Sequence, residues 1–285
     1  MEATPVSYKA SATQVKVTDT RLFAPVPFTL NVLTYNMHKG FAAGNRRFVL
    51  LQLRDALEEA DVDLIFLQET QGEHKEHQTR VANWPNAGQF EFLAHRLWPH
   101  YAYGKNAIYR AGHHGNAILS KYPFSKWENI NVSAFRSASR SLLHGVIALP
   151  EDKGPVHVIC IHFDVMASER QRQVAILRHY VEKQIPHGAP LIVAGDFNDW
   201  WGEAEYEIGA KLGMGEVFKA LRGRHARTFP AWLPVLPVDR IYYRGVTPLA
   251  CEWLKERRWR RMSDHVALHA TFAVSTQQQT NELRS

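Results

Sequence analysis

The chain has 285 residues, 45% of them hydrophobic, and 34 Lys and Arg against 28 Asp and Glu give a net charge of +6. Such values exclude a disordered or collagen-like chain and describe an ordinary globular protein able to build a sizeable core. Two cysteines, Cys160 and Cys251, with no C-x-x-C pair, exclude a disulfide-stapled scaffold and point to a reducing compartment.

Residues 1–29 are polar and rich in small side chains, with three prolines and no apolar core behind a basic start. They read as a flexible N-terminal extension rather than a signal peptide. From residue 30 to 274 no period of 20–50 residues repeats, so one domain is expected, followed by a flexible polar tail over 275–285. No run approaches the 18 apolar residues of a membrane span, and a cytoplasmic monomer is expected.

Within that body, short β-branched and apolar runs predict strands over 30–35, 64–67, 116–119, 142–149, 156–163, 191–194, 240–243 and 267–272. Helical spacing predicts two helices. Over 47–60, Leu50, Leu53 and Leu57 share a face; over 168–185, Val174, Leu177, Val181 and Ile185 do so, with Ser168 and Gln171 as a capping box. Strands interleaved with helices predict layered α/β packing.

Polar residues gather where these strands begin or end. Asn36 and His38 follow the first run, Glu69 the second, His162 closes a later one, and Asp196 and Asn198 follow Gly195. Asp239 opens a strand, and Asp264 and His265 precede the last. If strand ends meet at one rim, these groups form a single oxygen- and imidazole-rich site. Such a set suits phosphoryl chemistry with a hard divalent cation, because carboxylate and amide oxygens are ligands that Mg²⁺ accepts. A carboxylate then orients or deprotonates water while imidazoles serve the phosphate. Taken singly, each has an ordinary structural reading: Asn36 as a turn residue, Glu69 as a solvated edge, His162 as a core histidine, and the Gly195 to Asn198 stretch as a plain turn.

Tyr35-Asn36-Met37-His38, Leu67-Gln68-Glu69, the run from Gly115 to Pro123, Ile161-His162-Phe163, Gly195-Asp196-Phe197-Asn198, Asp239-Arg240-Ile241 and Ser263-Asp264-His265, in that order, resemble the endonuclease/exonuclease/phosphatase superfamily. Its members include deoxyribonuclease-type nucleases, abasic-site endonucleases, neutral sphingomyelinases and inositol polyphosphate phosphatases. The resemblance implies a four-layered α/β sandwich, two mostly antiparallel sheets face to face with helices outside. It also implies phosphoester hydrolysis dependent on Mg²⁺, with Mn²⁺ an alternative and the number of ions open. By that resemblance Glu69 is the principal metal ligand, with Asn36 beside it and Asp264 completing the acid cluster. His162 donates to the phosphate or leaving group, Asp196 handles the water, Asn198 holds a phosphate oxygen, and Asp239 orients His265. Abasic-site endonucleases usually carry tyrosine at the position of His162, which speaks against that repair role.

Substrate contacts are expected from His38, Lys39, His114, Asn116 and Arg140. A zinc site is disfavoured, since no H-x-x-x-H or Cys/His spacing supports it. Two further features bear on the substrate. The basic run from Lys255 to Arg261 precedes Ser263, and the proline-broken apolar stretch from Phe229 to Pro237 precedes Asp239. A regular element cannot hold those prolines, so the stretch is a loop at the expected site mouth. A phosphodiester is therefore the favoured substrate, either a lipid headgroup or small diester at an anionic membrane surface, or alternatively nucleic acid. A non-catalytic binding module is disfavoured by the complete acid and histidine set.

Overall fold

The computed structural model describes residues 28–45, 47–133, 140–150 and 153–274. In chain order its elements are β1 (Phe28–Asn36), α1 (Leu50–Ala60), β2 (Leu64–His74), α2 (Lys75–Arg80), α3 (Gln89–Ala94), β3 (His100–Tyr109), β4 (Gly112–Ser120), β5 (Phe124–Asn131) and β6 (Ser141–Ala148). There follow β7 (Pro155–His162), α4 (Ala167–Gln184), β8 (Leu191–Asp196), β9 (Gly215–Glu216), α5 (Val217–Arg222), β10 (Asp239–Arg244), β11 (Thr247–Leu254) and β12 (Ala267–Val274).

These strands form two six-stranded sheets, ordered β11-β12-β1-β2-β4-β3 and β5-β6-β7-β8-β10-β9. Each is antiparallel apart from one central parallel pair, β1 with β2 and β7 with β8. Each parallel pair is joined by a helix, α1 or α4, as a parallel crossover requires. The expected α/β sandwich is therefore what the chain builds.

Side-chain alternation assigns every strand two faces. Leu30 and Val32 of β1, Leu64 and Phe66 of β2, Val158 and Cys160 of β7, and Ile192 and Ala194 of β8 fill the core between the sheets. The intervening Leu33, Ile65 and Leu67 pack outward with Leu50, Leu53 and Leu57 of α1. On the second sheet, Ile159, Ile161 and Val193 pack with Val174, Leu177 and Val181 of α4. Three apolar layers result. Each fully buried side chain of this size contributes roughly 1.5–3 kcal/mol of transfer free energy.

Several local expectations need correction. α4 opens at Ala167 after Met166, with no side-chain cap, so Ser168 and Gln171 do not form the capping box. Instead Asp164 Oδ1 accepts from Met166 N at 2.9 Å, which turns the chain into the helix one residue earlier. α1 begins at Leu50, not residue 47, and β4 begins at Gly112, not residue 116, and so takes in His114. β1 begins at Phe28, inside the stretch read as an extension; residues 1–27 and the tail over 275–285 lie outside the described residues. No described helix is long and apolar enough to cross a membrane.

Candidate active site

The site continues the inter-sheet core. Counting in twos along the inward faces, Val32 leads to Asn36 on β1, Val158 and Cys160 to His162 on β7, and Ile192 and Ala194 to Asp196 on β8. On β10 the inward Ile241 is preceded by Asp239, which lies opposite Asp196 in the strand register. Four polar side chains thus take over where the apolar layer stops. All four are buried.

Their hydrogen bonds join the sheets. Asn36 Nδ2 donates to Asp196 Oδ2 at 3.1 Å, and Asn36 Oδ1 accepts from His38 N at 3.2 Å. His162 Nε2 stands 3.6 Å and His265 Nε2 3.8 Å from Asp196 Oδ2. His265 Nδ1 donates to Asp239 Oδ2 at 2.8 Å, which fixes that ring's orientation. Asn198 N donates to Asp196 Oδ1 at 2.9 Å, while Asn198 Nδ2 donates to the Phe163 carbonyl at 3.0 Å.

Glu69 arrives by a different route. On β2, Leu64 and Phe66 face inward, so simple alternation would send Glu69 outward. A bulge between Leu67 and Thr70 breaks the pairing with β4, and Glu69 adopts a left-handed φ of 56°. That conformation is sparsely populated by residues other than glycine and costs on the order of 1–3 kcal/mol. It re-aims the carboxylate toward Lys39, whose Nζ lies 3.2 Å from Glu69 Oε2. His38 and Lys39 also have left-handed φ values, 45° and 56°. His38 Nδ1 stands 3.3 Å from Asp264 Oδ1.

Electrostatics separate these groups. Burial opposes the Glu69 carboxylate, but His162 and Lys39 hold its pKa down at about 2. Burial and the Arg140 guanidinium push His162 well below the usual histidine range, so its ring is neutral. Burial and Lys39 lower His114 to about 4. Burial also opposes charge on His265, but Asp239 and Asp196 outweigh it and raise that ring to about 10. Asp196 is raised to about 7 by burial and by Asp239, against the opposite pull of His265.

Asn116 and Arg140 form the opposite flank. Asn116 Nδ2 donates to the Ser141 carbonyl at 3.2 Å, and Arg140 N donates to Ser133 Oγ at 2.6 Å. Among the described residues, Asp239 Oδ1 and Asn116 Oδ1 are buried oxygens that accept no hydrogen bond, while Glu69 Oε2 faces the Lys39 ammonium. One ligand atom from each of Asp196, Asp239 and His265 falls within 4.8 Å of the others. That compact trio differs from the expected set of Asn36, Glu69 and Asp264, of which the structure joins Asp264 to His38 and Glu69 to Lys39.

Some supporting residues were not anticipated. Ser263 Oγ donates to the Asn36 carbonyl at 2.7 Å, tying the loop before β12 to the end of β1. Thr228 Oγ1 accepts from Asp239 N at 3.3 Å, and the Phe229 ring lies 5.1 Å from that of His265. Buried Asp199 accepts from the N–H groups of Gly202, Glu203 and Ala204, while Arg240 from β10 reaches its carbonyl. Asp199 follows the Gly195 to Asn198 motif and Arg240 lies inside the Asp239 to Ile241 motif, and their burial was the missing signal. Trp259 of the basic run packs edge-on against Tyr35 at 5.7 Å and belongs to the core, not to the rim surface.

The endonuclease/exonuclease/phosphatase family profile matches residues 33–265, a span containing every side chain just placed. The chain belongs to this family. It is 44% identical over 243 residues to the uncharacterized protein YbhP of Escherichia coli K12, covering 85% of this chain and 96% of that one. An endonuclease/exonuclease/phosphatase from Beutenbergia cavernae superposes with a TM-score of 0.70 at 16% identity, covering 87% and 72% of the two chains. D. rerio TDP2, complexed with a single-strand DNA product, superposes at 0.61 with 19% identity over 86% and 98%. Members of the family are in general hydrolases that cleave phosphoester bonds with a divalent metal.

Proposed function

We propose that this protein is a divalent-metal-dependent phosphodiesterase that hydrolyses a P–O bond by in-line attack of water. The observation that carries the reading is the convergence of Asn36, His162, Asp196, Asp239 and His265, from both sheets, at one end of the shared core. A core ending in five polar groups is expensive to bury unless they are used together.

The donors fit a hard cation. Asp239 Oδ1 is a buried oxygen without a hydrogen bond, Glu69 Oε2 has the Lys39 ammonium beside it, and oxygen donors are what Mg²⁺ or Mn²⁺ takes. Glu69, Asn36 and Asp264 would hold the ion, which when bound offsets phosphate charge and polarises phosphorus.

The remaining roles follow from position. Asp196, fixed by Asn36 and by Asn198 N, holds the attacking water and takes its proton as the new O–P bond forms. His162 presents a neutral N–H edge to the phosphate or departing oxygen. His265, locked by Asp239, supplies a second N–H donor toward the same point. Asn198, whose backbone and side chain are already tied down, holds a phosphate oxygen. His38, Lys39, His114, Asn116 and Arg140 line the approach and hold the rest of the substrate.

A nuclease is the second reading, supported by the net charge of +6 and by the DNA product in the TDP2 complex. One panel tests both. Purified protein with Mg²⁺ is expected to hydrolyse bis(4-nitrophenyl) phosphate; failure on every diester tried would overturn the proposal. Nicking of supercoiled plasmid only with metal would move the nuclease reading ahead.

A further inference from the structure

Six large apolar side chains stand in solvent around the site: Val165, Met166, Trp201, Trp232, Leu233 and Val235, each between 47% and 77% exposed. They lie on three separate segments. β7 and β8 run parallel and finish at His162 and Asp196, so the loops carrying Val165, Met166 and Trp201 leave at the catalytic end. β10 runs antiparallel to β8 and starts at Asp239, so the segment carrying Trp232, Leu233 and Val235 enters at that same end.

These tips are held out by fixed hydrogen bonds. Arg170 Nη1 donates to the Val165 carbonyl at 2.9 Å, and its guanidinium lies 5.4 Å from the Trp200 ring. Asp199 accepts three backbone N–H groups around Trp201 at 2.8–3.0 Å. Ala231 N donates to the Asp264 carbonyl at 2.7 Å, and Arg260 donates to the carbonyls of Ala231 and Trp232 at 3.0 and 2.6 Å. Net positive charge is carried by the segment from Lys255 to Arg261, in which Glu256 is the one acidic residue. Arg257, Arg258, Arg260 and Arg261 are exposed, and among the described residues Arg257 and Arg261 form no ion pair.

We infer that this rim docks the enzyme on an anionic lipid bilayer, and that the phosphodiester presented to the site is that of a lipid headgroup. The docking surface stands on the rim alone; the substrate rests on the phosphodiesterase reading. Tryptophan side chains settle at the headgroup level, aliphatic tips enter the acyl boundary, and arginines meet lipid phosphates. Four of the six tips are aliphatic and offer a nucleobase no ring to stack on, which favours lipid over nucleic acid.

The full chain is tested by co-sedimentation with vesicles of equal parts phosphatidylglycerol and phosphatidylethanolamine, and with phosphatidylcholine vesicles. Preferential binding to the anionic vesicles is expected. The combined W201S, W232S and L233S variant, checked for folding by near-ultraviolet circular dichroism, should bind at least about tenfold more weakly. A second variant, R257E with R261E, should lose about tenfold on anionic vesicles. Equal sedimentation of wild type and both variants, or none at all, overturns the docking surface. So does duplex oligonucleotide that strips the protein from vesicles and binds the tryptophan variant as well as wild type. Hydrolysis of bis(4-nitrophenyl) phosphate is read in parallel without vesicles. Turnover without vesicle binding removes the docking proposal alone, whereas vesicle binding without turnover of any diester removes the phosphodiesterase reading alone.

Discussion

Neutral His162, whose Nε2 lies 3.6 Å from Asp196 Oδ2, is placed to donate a hydrogen bond rather than to carry charge. Removing such a preorganised donor from a water-poor site typically costs 10²–10³ in turnover. His162→Ala is therefore expected to lower kcat by about that factor while binding Mg²⁺ as tightly as wild type. Stopped-time assays paired with calorimetric metal titration check it, and an unchanged kcat would return His162 to the role of a core histidine. At the neighbouring position the test is orientation. Asp239→Asn keeps the shape but weakens the hold on the His265 ring, so kcat of the folded protein should fall, alongside the stability lost by breaking a buried pair. Loss of fold without a kinetic defect in the folded fraction would show that Asp239 is structural.

At the scale of elements, alternation decided what could be read in advance. Asn36, His162 and Asp196 lie on strands whose apolar runs are continuous, so the end of each strand was legible in the sequence. Edge strands were not. β3 (HYAYGKNAIY) and β5 (FSKWENIN) interleave lysine and asparagine with their apolar residues, and β11 (TPLACEWL) is short and opens on a proline, so no sustained periodic signal separated them from loops. Glu69 was legible from its motif but not from alternation, since only the bulge and left-handed φ turn it into the site.

The outer contacts of β6 give a further prediction. His144 Nε2 lies 3.0 Å from His157 Nδ1 on β7, and His144 Nδ1 lies 2.7 Å from Tyr180 Oη on α4, which donates to Glu128 on β5. Burial and His157 lower His144 to about 4, with Glu128 opposing and Lys126 assisting. Burial, Lys126 and Arg244 lower His157 too. A histidine depressed in the folded state binds fewer protons there than when unfolded. Stability is therefore complete above about 6.5 and falls as pH drops toward 4, by roughly 2 kcal/mol for His144 between pH 7 and 5. Urea unfolding at both pH values measures it, and His144→Gln should flatten the dependence. Equal slopes for wild type and variant would contradict the assignment.

Across the whole molecule, the two sheets supply complementary parts. The first contributes Asn36, Glu69 and, before β12, Asp264 and His265; the second contributes His162, Asp196 and Asp239. The hydrophobic core between them sets the spacing of the site, so fold and chemistry share one layer. This division was predictable in outline, because ordered motifs imply a common rim. The tertiary ties were not: Ser263 to Asn36 and Arg240 to Asp199 join residues far apart in sequence or at buried positions that a linear pattern does not mark.

The measurement that bears most directly on this account is Mg²⁺-dependent hydrolysis of a soluble aryl phosphodiester by chelator-treated wild type and by Glu69→Gln. Wild-type turnover should be absent with chelator and return as Mg²⁺ is added. The glutamine variant keeps the shape but loses the charge and should show at least about 10²-fold lower turnover at the same concentrations. Turnover that ignores chelator, or a Glu69→Gln variant as active as wild type, would contradict a metal-assisted site built around Glu69.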